Sequence, residues 1–517
     1  MKVIYNTCIA DPWIQVAQQL KTSLNLEPVY WIGYEYDNSE ELVQAAFPSI
    51  VYHKYFDAWK GIFPKNKEEI IQFTPLNIDF LKEYSSYELQ AIKIMDRMDS
   101  GRHNFSFAER QRLFRNQVRY WTSVICSLKP DLVISASVPH RTYDYVLYLL
   151  CQWNKIPFIS FRPTAFLGRI MPITNIQTIG DKLNQDYTDI LKNEVKESDL
   201  LKGLPDDILE TFNKVNEDYN IAEPQYMKRH VTSNDKESSL FGNIQKFYRK
   251  ILNNKNYFLG DRKYLLKGTP TYTKKKGSSI ENSRHSLFDI ARGKKRAIRY
   301  KKTLKSYYES LVTPTDYSNP FVFFALHYQP EMTTNPAGDI FVDQLLCIDI
   351  LLKNLPEDYY IYVKEHKSQF YAHTEGHKSR IKEFYDDILK FDRVKLISLE
   401  EDVFKLMEKS KAVATVSGTI GWEAMVRAKP VIIFGLSWYE SFDGVLKITD
   451  ENSASHIERF IQSYEYSKEK LIKYLVSLEK NSIRAYFYNG LKERMQMSEE
   501  ECVGNLVESI KNVLIES

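Results

Sequence analysis

Five short apolar runs recur through residues 321–444, and each is followed by polar residues and then by a helical pattern. The runs are rich in β-branched and aromatic residues, which is typical of buried parallel strands joined by crossover helices. This part of the chain is therefore predicted to be an open α/β unit. Its predicted strands cover residues 321–326, 360–363, 394–397, 413–416 and 431–434.

A second α/β pattern opens the chain. Residues 2–7 predict a strand, a helix is expected from Trp13, and residues 28–32 predict the next strand. The connecting loop lacks GxGxxG, which argues against a classical dinucleotide site. Residues 130–163 predict strand, turn, helix and strand, with Pro139 in the first turn of the helix.

Two such units in 517 residues predict an α/β protein with two Rossmann-like domains that face each other across a cleft. Epimerases and several two-domain binding proteins share this outline. Between the units the chain is polar and helical, with a strongly basic stretch at residues 246–305, and it is helical again after Ser455. We expect an N-terminal Rossmann-like domain at 1–180, a helical, basic insertion at 181–318, a C-terminal Rossmann-like domain at 319–465 and C-terminal helices at 466–517.

Charge and cysteine content narrow the functional classes. A net charge of +3 is too small for this length to indicate nucleic acid binding. The five cysteines are scattered without a CxxC pair, which fits a reducing cytoplasm. Neither a signal peptide nor a membrane-spanning run is evident, so a cytoplasmic protein is predicted, with any membrane contact peripheral.

The basic stretch has two interpretations. Its runs at residues 274–276 and 293–302 have almost no acidic neighbours, so they could lie on an anionic membrane surface or bind a phosphate-bearing acceptor. A solvated insertion is the alternative.

Polar residues follow four of the five predicted strands of the C-terminal unit. Ligands bind outside the carboxyl ends of strands in open parallel sheets, so these residues are expected to form one site. The turn before the helix at residue 419 would offer backbone amides and a positive helix end to a phosphate. Glu423, one turn into that helix, would bind a ribose hydroxyl or cap the helix. The remaining candidates are His327, Gln329, Glu331, Lys364, His366, Ser417, Gly418, Thr419, Trp438 and Tyr439.

Candidate acids and bases come from the N-terminal unit. His140 and Asp144 are four residues apart on the predicted helix, so they either pair at the surface or serve the site. Asp11 follows the first strand and would cap the helix or act as a catalytic carboxylate. The two histidines His327 and His366 could approach a metal, but no known metal-ligand spacing is present, and no metal is expected.

At these residues the chain resembles the capsule polysaccharide biosynthesis family, which includes bacterial β-Kdo transferases. The resemblance implies a GT-B fold, a CMP-activated 2-keto-3-deoxy sugar acid as donor and no metal requirement. It places the residues from His327 to Thr419 that are named above in the donor site. One departure is Lys367, because family members often have proline after the histidine that corresponds to His366. The matching segments are LHYQPE (326–331), VKEH (363–366), VSGTIGWEA (416–424), KPVIIFG followed by WY (429–439) and PHRTYDYVLY (139–148).

The sequence thus predicts a metal-independent glycosyltransferase of bacterial surface polysaccharide biosynthesis. It would transfer Kdo or a nonulosonate from a CMP-sugar to a glycan or lipid-linked acceptor. Asp144 is the predicted nucleophile or base, with Asp11 in reserve and His140 beside them, while Lys364, His366 and the turn amides would hold the CMP. A UDP- or dTDP-hexose donor and a non-catalytic polysaccharide assembly or export protein are the alternatives.

Overall fold

The structure is a computed structural model. It describes residues 1–9, 12–34, 38–64, 69–99, 105–178, 180–192, 197–217, 287–486 and 489–516. In chain order, the strands β1 to β13 are Lys2–Asn6, Glu27–Gly33, Val51–Lys54, Leu132–Ser135, Phe158–Pro163, Arg169–Ile173, Phe321–Ala325, Tyr360–Lys364, Val394–Leu396, Ala412–Thr415, Val431–Ile433, Val445–Lys447 and Ile483–Arg484.

These strands form two sheets. The N-terminal sheet has the order β13-β6-β5-β4-β1-β2-β3. Its neighbouring strands β5, β4, β1, β2 and β3 are parallel to one another, while β6 runs antiparallel to both β5 and β13. The C-terminal sheet is parallel throughout, with the order β12-β11-β10-β7-β8-β9. Its strand order reverses between β7 and β10, as in a Rossmann fold, and the N-terminal order reverses between β1 and β4. The predicted α/β class with two Rossmann-like sheets is therefore confirmed.

Alternation along the strands explains why both sheets are buried on both faces. On β1, Ile4 packs into one core, while Val3 and Tyr5 pack into the core on the opposite face. On β7, Phe323 and Phe324 likewise pack into cores on opposite faces of the sheet. Successive side chains point to opposite faces of a strand, so these uninterrupted apolar runs need helices on both sides.

Helices cover these faces. In chain order, α1 to α20 are Pro12–Leu24, Ser39–Ala46, Tyr55–Lys60, Ile78–Glu83, Ser85–Ile94, Phe107–Leu128, Thr142–Trp153, Asp181–Leu191, Glu197–Lys202, Asp206–Glu217, Leu287–Leu311, Gln344–Asn354, Lys382–Ile388, Val403–Lys409, Thr419–Val426, Glu451–Ala454, Ile457–Ser463, Lys468–Lys480, Asn489–Met495 and Glu499–Glu516. Within the described ranges, no helix has the length and apolar character that crossing a membrane requires.

The chain crosses between the two halves more than once. Side chains of α8 to α10 share a core with α15 and α18 of the C-terminal half. The last helix, α20, returns to pack against α1, and β13 joins the N-terminal sheet. The segments before and after the C-terminal sheet therefore connect the two halves.

Two local expectations were wrong. The helix after β4 begins at Thr142, so Pro139 and His140 lie in the preceding turn and not in the helix. The chain after Ser455 is not wholly helical, because β13 pairs with β6. A two-residue strand is too short to produce a periodic signal, and its partner is more than 300 residues away in sequence.

Candidate functional site

A cavity of about 540 Å³ lies between the two halves. Residues that follow β4 and β5 line one wall, and residues that follow β10, β11 and β12 line the other. Since ligands of open α/β sheets bind beyond the carboxyl ends of the strands, near the reversal of strand order, both sheets place their binding edges here. The volume falls in the range of about 300 to 1,000 Å³ typical of small-molecule sites.

The N-terminus of α15 forms part of the C-terminal wall. Ser417 and Thr419 line the cavity, and the Ser417 hydroxyl donates to the Thr333 carbonyl at 2.5 Å. Gly418 lies so close to its neighbours that an added Cβ would be 2.9 Å from the Thr415 hydroxyl oxygen. The turn therefore needs a glycine, and it presents the positive end of a helix to the cavity.

His327 supports this turn from behind. Its Nε2 accepts the Ser417 amide at 3.1 Å and lies 3.0 Å from the Thr415 hydroxyl. Burial lowers its pKa to about 3, so the ring stays neutral and can accept these bonds. His327 does not line the cavity in this structure, and its observed role is to position the turn that does.

In the loop that follows β7, the side chains of Gln329 and Glu331 form hydrogen bonds with neighbouring threonines. The Gln329 amide donates to the Thr334 hydroxyl at 2.6 Å, and a Glu331 carboxylate oxygen accepts from the Thr333 hydroxyl at 3.0 Å. Burial raises the pKa of Glu331. Neither side chain lines the cavity, although Met332 and Thr333, which follow Glu331, do.

Lys364 and His366 also hold backbone. The Lys364 ammonium donates to the carbonyls of Ser398 and Leu399 at 2.9 and 2.5 Å, and burial lowers its pKa to about 8. His366 Nδ1 accepts the Ser368 amide at 3.1 Å, and burial lowers the pKa of His366 to about 4. Both fix the loops at the carboxyl end of the sheet, and a contact with a donor stays a prediction.

The last three C-terminal candidates differ in position. Trp438 lines the cavity and packs against Phe166 of the N-terminal half, with ring centroids 5.6 Å apart. The Tyr439 hydroxyl donates to the Gly418 carbonyl, so Tyr439 braces the same turn as His327. Glu423 is buried inside α15.

On the N-terminal wall, His140 and Asp144 meet through the backbone. One Asp144 carboxylate oxygen accepts the amides of His140 and Arg141 at 3.0 and 2.6 Å. The carboxyl is fully buried, so the expected surface pair does not form, and Asp144 does not line the cavity. Burial raises the pKa of Asp144 to about 7, although Arg141 opposes the shift.

His140 lines the cavity itself. Its Nδ1 lies 2.7 Å from the Val138 carbonyl, which can only accept, so Nδ1 carries the proton and Nε2 is left unprotonated. Burial lowers the pKa of His140 well below its usual value, which keeps the ring neutral. A neutral imidazole with one free lone pair can accept a hydrogen bond from a ligand hydroxyl at Nε2. Asp11, the reserve carboxylate, lies outside the described residues.

Sequence reasoning missed the residues that join the two halves at the cavity. The Arg97 guanidinium donates to the carbonyls of His140 and Asn335, which belong to opposite halves. The Gln90 amide donates to Asp339 at 2.9 Å. Both lie in the polar helical region between residues 66 and 127, where nothing in the local pattern marks them, since their partners are more than 40 residues away or on the other sheet.

Arg162 and Lys447 on the cavity wall were also missed. Both stand at the carboxyl ends of strands, β5 and β12, so position was the signal that could have identified them. No group of three or more histidine, cysteine, aspartate or glutamate side chains in the described ranges is arranged to share a metal ion. Metal independence stays a prediction.

Comparison with solved structures gives only weak likenesses. UDP-GlcNAc 2-epimerase of Methanocaldococcus jannaschii is 11% identical, with 93% of this chain and 99% of that chain covered and a TM-score of 0.23. The β-Kdo 2,7 transferase of Thermosulfurimonas dismutans KpsC is 10% identical, with 78% and 97% covered and a TM-score of 0.28. HepE of Anabaena, solved with UDP and glucose, is 12% identical over 100% of both chains, with a TM-score of 0.23. The fold therefore rests on the strand order described above.

Sequence comparison is more specific. A search of curated proteins finds no match. The sequence profile of the family described as capsule polysaccharide biosynthesis protein matches residues 337–484. This segment holds β8 to β12, the helix at the cavity wall and Trp438. The match confirms the resemblance to the capsule polysaccharide biosynthesis family over residues 337–484, which carry most of the C-terminal sheet.

Proposed function

We propose that the protein is a glycosyltransferase of bacterial surface polysaccharide biosynthesis. It transfers a 2-keto-3-deoxy sugar acid, Kdo or a nonulosonate, from a CMP-sugar to a glycan or lipid-linked acceptor. The observation that carries the proposal is the cavity between the halves, which has a helix N-terminus on one wall and a neutral histidine on the other. The family match on the C-terminal wall supports it.

The donor phosphate would bind at the start of α15. The first amides of a helix generally lack helical partners, and the aligned peptide dipoles favour a negative charge. Here the Gly421 amide donates to the Gly418 carbonyl at 3.1 Å, so the amides nearest the start of the helix would meet the phosphate. The Ser417 and Thr419 side chains line the same place. The helix start and the Thr419 hydroxyl would stabilise the CMP leaving group as its bond to the sugar breaks, while the Ser417 hydroxyl, which donates to the Thr333 carbonyl, holds the turn. No step is assigned to a metal.

The acceptor would approach from the N-terminal wall. His140 Nε2 is the unprotonated nitrogen on that wall, so we assign it as the base that removes the acceptor hydroxyl proton. Asp144 holds the backbone of His140 and of Arg141. Its predicted role as nucleophile would require the buried carboxyl to move into the cavity.

Nucleotide binding tests the proposal most directly. Thermal stability of the full chain is measured with CMP, UDP and dTDP at equal concentrations, followed by transfer assays with the corresponding nucleotide sugars. A ligand at 100 times its Kd should add about 2.7 kcal/mol of stability. We expect CMP to stabilise the protein most. Stabilisation by UDP alone would favour the hexose donor, and no stabilisation or transfer with any donor would indicate a non-catalytic assembly protein.

A peripheral contact with an anionic membrane belongs to the same proposal. Helix α11 carries exposed Arg292, Lys294, Lys295, Arg296 and Arg299, and residues 292–308 include no acidic side chain. The helix is fixed to the C-terminal half, because the buried Lys301 ammonium donates to three carbonyls between Tyr371 and Thr374. A lipid-linked acceptor would be reached from such a surface. Residues 246–286 of the basic stretch lie outside the described residues.

A further inference from the structure

Arg162 occupies the wall of the cavity opposite the start of α15. It stands near the carboxyl end of β5, on the N-terminal half. Of the described residues that line the cavity, it is the one arginine. Arg162 therefore borders the space between the two walls, where the transferred sugar of the proposed donor would lie.

The guanidinium of Arg162 is only partly satisfied by the protein. One terminal nitrogen, Nη2, donates to the Ile176 carbonyl at 3.2 Å, and the buried Nε has no hydrogen-bond partner within the described ranges. Buried Arg169, in contrast, donates to both carboxylate oxygens of Asp207 at 2.6 and 3.0 Å. A buried donor without a partner is costly, so such groups often mark the place of a ligand.

The local charge balance also leaves a place for an anion. Glu440 exerts a favourable electrostatic effect on Arg162, but among the described residues its ion pair is with Lys447, whose ammonium is 3.0 Å from the carboxylate. The same Glu440 oxygen lies 3.4 Å from the Ser437 amide. Among the described residues, Glu440 is the carboxylate that interacts with both Arg162 and Lys447, so these two cations share one negative charge, and a buried charge needs a partner.

We infer that Arg162 binds the carboxylate of an acidic sugar and thereby selects a sugar acid over a neutral hexose. A planar guanidinium fork matches the two oxygens of a carboxylate. The phosphate has its own place at the start of α15, on the other wall, so the anion left for Arg162 is the one on the sugar. This inference rests on the proposed function, and it assigns a specificity-determining residue within it.

Binding of CMP-Kdo and of CMP to the full chain, measured by calorimetry, tests the inference. For Arg162→Gln we expect the affinity for CMP-Kdo to fall about 10- to 100-fold, the effect of losing hydrogen bonds to a charged group. The affinity for CMP should stay within about twofold, because CMP lacks the sugar carboxylate. Arg162→Lys should recover part of the loss, since it keeps the charge but not the fork.

Arg119→Gln is the matched control. Its Nε is also buried without a described partner, but Arg119 does not line the cavity, so donor binding should not change. UDP-glucuronate and UDP-glucose provide a second pair with and without a carboxylate. If only this pair binds, a selective loss of UDP-glucuronate in Arg162→Gln would support the role of Arg162 while the CMP donor is rejected.

Other outcomes overturn the inference. Equal losses for CMP and CMP-Kdo would place Arg162 at the nucleotide. Unchanged binding of both, with a raised KM for the acceptor alone, would place it at an acceptor anion. If the parent chain binds none of the four ligands, the proposed function and this inference fail together.

Discussion

At the scale of single residues, Asp144 and His140 lie four residues apart in sequence but have different surroundings. Asp144 accepts the backbone amides of His140 and Arg141, and its second oxygen is buried without a partner within the described ranges. His140 lies on the cavity wall with Nδ1 committed to a carbonyl. We therefore propose that Asp144 positions the turn and that His140 contacts the substrate.

Replacing each residue separately tests this division. His140→Ala should lower kcat by about 10²-fold or more, the usual effect of losing a general base, with little change in nucleotide affinity. Asp144→Asn keeps an oxygen to accept both amides, so it should retain a larger share of kcat. The measurement is steady-state transfer with each variant. Complete loss of transfer in Asp144→Asn, with donor binding intact, would favour Asp144 as the nucleophile.

The buried Asp144 carboxyl should also make stability depend on pH. Burial raises its folded pKa from 3.8 to about 7, although Arg141 and Arg97 oppose the shift. Its favourable contribution is therefore complete below pH 3.8 and is lost as pH rises through about 7. Asp144→Asn removes this loss. The Tm of the variant minus the Tm of the parent should therefore be larger at pH 8 than at pH 5, by about 2 °C or more. An equal difference at both pH values would contradict the assignment.

At the scale of elements, helix α11 and the turn before α15 differ in how they are held and in what they expose. The turn is fixed on all sides, by His327, by Tyr439 and by the close approach of Gly418 to Thr415. Helix α11 is anchored by its buried face through Leu304, Tyr308 and Lys301, and it exposes its basic face. The first arrangement suits a precise ligand contact, and the second suits an electrostatic surface.

Charge removal on α11 should weaken membrane binding. Substituting Lys294, Lys295 and Arg296 with Gln removes three charges worth about 1 kcal/mol each at an anionic surface. The affinity for phosphatidylglycerol vesicles, measured by sedimentation, should therefore fall about 10²-fold. Vesicles of neutral lipid should bind neither form. The control neutralises three exposed lysines elsewhere in the C-terminal half, Lys390, Lys409 and Lys411. Equal binding of parent and α11 variant would rule out this surface.

At the scale of the whole molecule, the two halves are joined beside the cavity by hydrogen bonds from polar side chains. Arg97 donates to carbonyls of both halves, and burial lowers its pKa only to about 9, so it stays charged at neutral pH. Gln90 donates to Asp339 and accepts from the Tyr145 hydroxyl. These contacts connect the two walls of the cavity.

Removing the Arg97 contacts should loosen the two halves. Arg97→Gln should cost about 1.5 to 3 kcal/mol, the value of hydrogen bonds from a charged group, and should separate the unfolding of the halves in calorimetry. Donor turnover should fall with it, because the two walls no longer hold a fixed distance. Arg112→Gln, an exposed arginine on α6, is the control. A single transition at the parent Tm would show that Arg97 does not couple the halves.

The apolar periodicity of the sequence determined the two Rossmann-like sheets, most of their strands and the helix start at Thr419. These features depend on local patterns, since a buried parallel strand must be apolar on both faces. The same patterns placed His140, Ser417, Thr419 and Trp438 near one site, and all four line the cavity.

Only the tertiary structure decided which polar residues line the cavity and which hold neighbouring loops in place. His327, Lys364 and His366 come at strand ends as expected, yet their side chains are bound to neighbouring loops. Arg97 and Arg162 gain their roles from partners in the other half or from a cavity between the halves. The direction and satisfaction of a side chain depend on contacts between residues far apart in sequence, and no local pattern records them.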